Sequence, residues 1–522
     1  MMSKLNKRRL VVNIIQKIWI GGVFSLTIFH MYFALVKVFE LENVWEKAFS
    51  FFFALIEGLI LFQIFLINFF LTSDKYYPLT DNIEGKPSDE FEQVSILVPT
   101  KNPDINVLNE TLTAIRDLNY PKEMLIVWIG DDTTTDLKSE IELLCKKFGF
   151  NYYNSGTQRH FKAGMLNILL EKINSKYFIV LDYDQKPDTG LVIRLLAEFK
   201  SRKDPKLAFV QAIKRFKNIS SLSGFFSSIL YLQYFEVVQR PKNRRKTVLF
   251  AGSTAMFRTD VVKSIGGFSI KSITEDTETA VQLILRGYYG QFINYIGSWG
   301  SVPSSYTEQI SQIWRWTMGG SQSLRLNFPA FLRNPKLNLT QRIDLISTLG
   351  ITFIIPFIFI YGIAVWVISL LGLDTPRYGF QLGTFLISSQ IFIPFLGLLT
   401  YLVILSLAIQ YAREESDQGE AYSWKLIVPM TMIGISTSVL ILPASLMGFL
   451  KIEDPESGKA KWNRDVKLFR NSLIFAAWGI ILIYQGFSLI INGLFTGTLV
   501  FIEGVIFLHP IIVSTVLYVT NN

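Results

Sequence analysis

Tyr177-Phe178-Ile179-Val180-Leu181-Asp182-Tyr183-Asp184 is a run of five apolar residues that ends on two carboxylates one residue apart. A short run rich in β-branched and aromatic residues reads as a buried strand, and the acidic pair marks its end. Two similar strand-like runs upstream also end on polar residues. Val94-Ser95-Ile96-Leu97-Val98 stops at Pro99-Thr100-Lys101-Asn102-Pro103, and Leu125-Ile126-Val127-Trp128-Ile129 stops at Gly130-Asp131-Asp132. Helical patterns fill the gaps: Leu108, Leu112, Ile115 and Leu118 share one helix face, and 163–172 reads as another helix. Strands alternating with helices predict a mainly parallel α/β sheet. Ligands of such sheets bind at the carboxyl ends of the strands. Pro-Thr-Lys, Gly-Asp-Asp and Asp-Tyr-Asp are therefore expected around one crevice.

Outside this segment the chain changes character. Of its 522 residues, 50% are hydrophobic and 18% charged, which is too apolar for an ordinary soluble protein. A membrane helix needs about 20 apolar residues. Candidates lie at 18–38, 49–71, 345–371, 383–411, 427–450, 472–491 and 499–518. Lys4, Lys7, Arg8 and Arg9 place the N-terminus in the cytoplasm, so two crossings leave 72–345 cytosolic. Basic residues flank 427–450 on both sides, and Pro429 and Pro443 sit near its ends. That pattern reads as an interfacial helix with six true crossings elsewhere; a plain seventh span is the alternative. Glu57 and Glu503 fall inside apolar spans, where a carboxylate lines a wet path or is locally paired.

Cys145 is the single cysteine, which excludes an internal disulfide, and with only three scattered histidines beside it the sequence argues against a zinc site. Any catalytic metal is expected on carboxylates, as Mg²⁺ or Mn²⁺. Asp182 and Asp184 could hold that ion and bridge a diphosphate; alternatively they form a solvated turn. Asp131 and Asp132 could bind a nucleoside, or cap the helix expected near Asp136. Lys162 precedes a helix and could contact phosphate, against the reading of a plain surface lysine. Asp276, in Ser272-Ile273-Thr274-Glu275-Asp276, could act as general base for an attacking hydroxyl, or cap the helix it opens. Phe250-Ala251-Gly252-Ser253 would let a sugar approach the backbone closely. Gln312, Arg315 and Trp316 share one face of a helix expected over 308–326. Arg315 can grip a diphosphate bidentately, and Trp316 offers a flat platform to a sugar ring. A tryptophan–arginine belt at a membrane interface is the competing explanation.

Taken in order, these motifs resemble the membrane-embedded family 2 glycosyltransferases of the processive cellulose synthase and hyaluronan synthase type. The resemblance covers roughly 94–470. It rests on Pro99-Thr100-Lys101-Asn102, Gly130-Asp131-Asp132, Lys162-Ala163-Gly164, Asp182-Tyr183-Asp184, Phe250-Ala251-Gly252-Ser253, Thr274-Glu275-Asp276 and Gln312-Ile313-Trp314-Arg315-Trp316. It implies a GT-A α/β catalytic domain inserted in an α-helical transmembrane bundle with interfacial helices. By the resemblance Thr100 and Asp131, with Asp132, bind uridine, and Lys162 meets the diphosphate. Asp182 and Asp184 hold Mg²⁺ or Mn²⁺ and the donor, and Asp276 is the base with Glu275 beside it. Phe250, Gly252 and Ser253 border the sugar. Gln312, Arg315 and Trp316 bind diphosphate and the polymer end. An α-linked UDP-sugar, UDP-glucose favoured, would give a β-linked polysaccharide exported through the enzyme's own channel.

The chain departs from the family pattern in places. Asp131-Asp132 is followed by Thr133, Ala251 stands where cellulose synthases carry cysteine, and the gating loop lacks a clean match. Lys461-Trp462-Asn463-Arg464-Asp465 occupies that loop's place, so Trp462 and Arg464 are expected to close over UDP. The expected division is two membrane helices over 1–71, the catalytic domain over 72–304 and interfacial helices over 305–344. Two spans over 345–411, an interfacial helix and loop over 412–470 and two final spans over 471–522 complete it. The expected setting is the plasma membrane, with the catalytic domain cytoplasmic. Expected partners are the UDP-sugar donor, the growing polysaccharide and the bilayer. Nucleic acid is not expected; accessory subunits or a second copy stay open.

Overall fold

The computed structural model describes residues 2–40, 42–72, 91–156, 161–217, 219, 222–303, 306–351, 379–382, 385–388, some positions between 399 and 409, and 442–451. Trp462, Arg464, Glu503, the expected spans at 472–491 and 499–518, and most of those at 345–371 and 383–411 lie outside the described residues. The chain divides into two compact units. One comprises Met1–Lys75, Ser305–Ser321 and Ser347–Asn522; the other comprises Tyr76–Ser304 and Gln322–Ile346.

The second unit is built on an eight-stranded sheet. Its strands are β1 (Val94–Thr100), β2 (Leu125–Asp131), β3 (Asn151–Asn154), β4 (Tyr177–Val180), β5 (Lys186–Pro187), β6 (Leu207–Phe216), β7 (Ala255–Arg258) and β8 (Tyr289–Gly300). They lie in the order β3-β2-β1-β4-β7-β6-β8-β5. The four N-terminal strands are parallel, as expected from their intervening helices. The rest of the sheet is mixed. β7 runs antiparallel to both β4 and β6, and β5 runs against β8. The reason is local. A parallel return needs a crossover to the far end of the sheet. Residues 250–254 instead enter at the carboxyl end of β4, where the Thr254 N–H donates to the Val180 carbonyl at 2.8 Å.

Helices cover the sheet. Leu108, Leu112 and Ile115 of α3 (Ile105–Arg116) and Ile141 and Cys145 of α4 (Leu137–Phe148) pack with Val94, Ile96 and Val98 of β1. Asp104 caps α3, accepting from the N–H groups of Asn106 and Val107 at 2.8 and 3.2 Å. α5 (Phe161–Lys172) approaches β2 so closely that a Cβ at Gly130 would lie 2.5 Å from Met165 Sδ. Phe178, Phe209, Phe250, Phe257 and Phe268 form a buried aromatic cluster, with Phe178 stacked on Phe257 at 5.3 Å and Phe250 edge-on to Phe257 at 4.8 Å.

The remaining helices of this unit are α6 (Leu191–Arg202), α7 (Leu222–Leu232), α8 (Arg240–Arg245), α9 (Thr259–Ser264) and α10 (Glu275–Leu285), and α11 (Tyr306–Arg333) and α12 (Leu339–Gly350) belong to it in part. A π-helical turn, Gln233–Gln239, joins α7 to α8. α11 is longer than the expected 308–326 and continues through Pro329. It begins in the first unit and ends in the second, and α12 begins in the second and ends in the first.

In the first unit, α1 (Met2–Glu40) packs on α2 (Val44–Thr72). Within them, Lys17–Glu40 and Ser50–Phe70 are long and apolar enough to cross a membrane. Polar groups join the pair: Trp19 Nε1 donates to Asn68 Oδ1 at 2.7 Å, and His30 Nε2 meets Glu57 Oε2 at 2.8 Å. Glu57 is thus locally paired. Of the expected interfacial helix at 427–450, the final part, α13 (Leu442–Leu450), is described.

Candidate active site

β4 carries the chain to Asp182 at the centre of the sheet's carboxyl edge. The Asp182 N–H donates to Ser253 Oγ at 2.9 Å. Its carboxylate meets two ammonium groups: Lys162, from the first turn of α5, pairs with Oδ1, and Lys214, from β6, lies 3.9 Å from Oδ2. Lys162 also donates to the Gly252 carbonyl at 2.6 Å. Gly252 has φ +81°, and a Cβ there would sit 2.9 Å from Asp276 Oδ2. The Gly252 backbone therefore lies directly against the Asp276 carboxylate, and only glycine suits both the conformation and the space. Asp276 stands in the first turn of α10, where Oδ1 accepts the Thr277 N–H at 2.7 Å.

Asp182, Lys162, Gly252, Ser253 and Asp276 thus come together from four separated stretches of sequence. Asp184 and Glu275 share their electrostatic environment. Burial pushes Asp184 up to about 6, with Asp182 adding to it. Burial pushes Glu275 up to about 7, helped by Asp276. Asp276 is raised by burial. Burial opposes ionisation of Asp182, but Lys162 and Lys214 hold it below the usual carboxylate range. Burial likewise works against the Lys162 charge, and Asp182, Glu275 and Asp276 outweigh it. Burial lowers Lys214. Among the described residues, Asp182, Asp184, Glu275 and Asp276 are set against Lys162 and Lys214, so carboxylates outnumber the ammonium groups. A divalent cation fits such a donor set. No group of three or more His, Cys, Asp or Glu forms a ready-made metal cage among the described residues.

Asp131 and Asp132 serve a neighbouring part of the edge. Asp131 is fully buried and already engaged: Oδ1 accepts the Thr133 N–H at 2.9 Å, and Oδ2 accepts from Tyr152 Oη at 2.8 Å and Asn154 Nδ2 at 3.0 Å. Asp132 accepts from Ser155 Oγ at 2.7 Å, and burial raises its pKa. The pair holds 151–155 against the strand ends and does not cap α4. Thr133 accepts the Asn102 N–H on Oγ1 at 2.8 Å, which gives the departure at that position a role. Thr100 Oγ1 is buried without a hydrogen-bond partner.

The Phe250 side chain is fully buried in the aromatic cluster, where it anchors the following loop. Gln312, Arg315 and Trp316 belong to the first unit and share one side of α11; Trp316 is 38% exposed.

Several residues escaped the sequence reading. Gln211 and Gln239, both fully buried, frame the loop. Gln211 accepts the Ala251 N–H at 2.9 Å and donates to the Ser253 carbonyl at 2.9 Å. Gln239 accepts the Leu249 N–H at 3.1 Å and donates to the Leu249 carbonyl at 2.7 Å. Tyr234 lies near enough for Asp276 to reinforce the upward shift that burial gives it. Asn327, from the second half of α11, donates to both oxygens of buried Glu278 on α10 at 2.9 and 3.1 Å. A signal existed for Lys214: with Gln211 and Arg215 it places polar groups in a strand whose every residue is buried.

Residues 177–411 match the family described as glycosyl transferase family group 2. The cellulose synthase catalytic subunit (UDP-forming) of Pseudomonas fluorescens is 28% identical over 248 residues, 46% of this chain and 33% of that protein. A probable glucomannan 4-beta-mannosyltransferase of Oryza sativa subsp. japonica is 28% identical over 262 residues, 48% of this chain and 44% of the relative. The matches to three bacterial cellulose synthase catalytic subunits span only 33%, 37% and 36% of those proteins' length. Among solved structures, a mannosyltransferase of Pyrobaculum calidifontis in complex with GDP-Man and Mn²⁺ aligns with a TM-score of 0.50 at 16% identity, covering 81% of this chain and all of that one. The likeness establishes a GT-A-like α/β fold. Asp182, Lys162 and Asp276 gather at the carboxyl edge of that fold, and the chain resembles family 2 glycosyltransferases over residues 177–411, with cellulose synthase catalytic subunits among the proteins it is similar to.

Proposed function

We propose that this chain is an inverting, processive glycosyltransferase that builds a β-linked polysaccharide from a UDP-sugar, with UDP-glucose favoured, at a membrane. The observation that carries the reading is the placement of Asp276 against Gly252, whose carbonyl accepts from the same Lys162 that pairs with Asp182. A proton acceptor and a diphosphate-binding group then flank one point. Asp276 takes the proton from the acceptor hydroxyl, whose oxygen attacks the anomeric carbon from the face opposite the diphosphate. The carbon–oxygen bond to the diphosphate breaks, and Lys162 stabilises the departing charge. Asp182 and Asp184 are the proposed ligands of Mg²⁺ or Mn²⁺, which would neutralise the diphosphate. Thr100, with its unpartnered hydroxyl, and the Asp131–Asp132 edge are the proposed nucleoside site.

Gln312, Arg315 and Trp316 are the proposed contacts for the polymer end. The apolar segments are proposed to house an export channel in the plasma membrane, with the catalytic domain cytoplasmic. The divisions at 71, 304, 344, 411 and 470 remain our proposed boundaries. The donor agrees with the UDP-forming cellulose synthase relatives. Purified full-length protein in nanodiscs, given a panel of labelled UDP-sugars and Mn²⁺, is the test. A high-molecular-weight product should form and should vanish in Asp276→Asn. A product of one sugar on a lipid would exclude processivity, and unchanged turnover in Asp276→Asn would exclude the base.

A further inference from the structure

The proposed transfer leaves one ammonium group in the pocket without a part. Lys214 is buried on β6, with 7% of its side chain exposed. Its Nζ donates to the Ala251 carbonyl at 2.9 Å and stands 3.9 Å from Asp182 Oδ2. Lys162 faces Oδ1 of the same carboxylate. Both oxygens of Asp182 thus look onto ammonium groups, although Asp182 is a proposed cation ligand. A divalent ion and an ammonium beside the same oxygen repel strongly in a buried site. The hydrogen bond to Ala251 ties that repulsion to the loop, because the next residue, Gly252, lies against Asp276.

We propose that Lys214 is a positioning residue that occupies the cation side of Asp182 in the ion-free protein and couples ion arrival to the Ala251–Gly252 backbone, and so to Asp276. The proposal rests on the reading of Asp182 as a cation ligand. On that reading the Lys214 ammonium would yield Oδ2 to the ion, and the Ala251 carbonyl would lose its donor. Ion binding then opposes the lysine charge, and the acceptor-side loop responds to the ion.

The test uses the full chain in nanodiscs with Mn²⁺ alone, without donor or acceptor. Free Mn²⁺ is followed by electron paramagnetic resonance. A charge within a few ångströms shifts an ionic equilibrium by about one to three powers of ten. Lys214→Met should therefore bind Mn²⁺ about tenfold or more tightly than the parent, while its kcat in the sugar-transfer assay falls. Lys214→Arg, which keeps the charge, should retain the parent affinity. Hydrogen exchange at 249–254 should respond to Mn²⁺ in the parent and not in Lys214→Met. Unchanged or weaker Mn²⁺ binding in Lys214→Met overturns the proposal, as does a loop indifferent to Mn²⁺ in the parent. Lys214→Gln gives the same readout should the methionine variant not fold. Asp182→Asn separates the two levels: if it leaves Mn²⁺ binding intact, the ligand assignment of Asp182 fails, not the lysine's role alone.

Discussion

Gly252 has a tightly constrained backbone in the site. Its φ of +81° and the 2.9 Å gap from a notional Cβ to Asp276 Oδ2 leave no room for a side chain. Gly252→Ala should cost about 1–3 kcal/mol of stability from backbone strain and push Asp276 off line. Thermal unfolding and turnover should both register it, with turnover falling much further. Glu275 carries the clearest pH signature. Burial and Asp276 hold it near 7 against an ordinary 4.5, so between those values the folded protein keeps a proton that the unfolded chain releases. Its contribution to stability is complete below about 4.5 and is lost as pH rises through about 7. Glu275→Gln should flatten the decline in metal-free stability across that window and leave the variant about 1–3 kcal/mol more stable at pH 8. A stability curve that keeps its slope in the variant would assign the shift elsewhere.

At the scale of elements, the polar groups that hold the site are buried pairs between distant pieces of chain. Glu278 of α10 is gripped by Asn327 of α11, which sets the helix that presents Asp276. Asp344 of α12 joins that helix to α8. It accepts from Lys242 Nζ at 2.9 Å and from Thr247 Oγ1, with Arg245 Nε at 3.4 Å, and both Lys242 and Asp344 are almost fully buried. Removing one partner of a buried ion pair strands the other charge. Asp344→Ala should therefore destabilise the domain by about 3–5 kcal/mol, while replacing Lys242 and Asp344 together with Met and Leu should recover much of the loss. Chemical denaturation of the three proteins measures this directly. None of these partners was legible in sequence, because Lys242 and Asp344 are separated by a hundred residues and neither stands in a recognisable pattern. Helix periodicity, by contrast, predicted α3 well, because it buries one apolar stripe of Leu108, Leu112 and Ile115.

For the whole molecule, α1 and α2 are long and apolar enough to span a bilayer. The full chain should stay in the membrane pellet after carbonate extraction and appear in solution only with detergent; release by carbonate would argue against spanning helices. The sequence by itself determined the strands that end in chemistry. A buried strand must be apolar, so a carboxylate at its end is conspicuous, and Asp182, Asp131 and Asp132 were found that way. Order and spacing likewise singled out Lys162, Asp276 and the Gln312–Trp316 set as candidates. Only the tertiary structure decided what those residues touch. It reversed β7 within a sheet expected to be mainly parallel, placed Phe250 in the core, and spent the Asp131 carboxylate on Tyr152 and Asn154. It also brought Lys214 to Asp182. These outcomes depend on contacts between residues far apart in the chain, which local propensity and periodicity cannot encode.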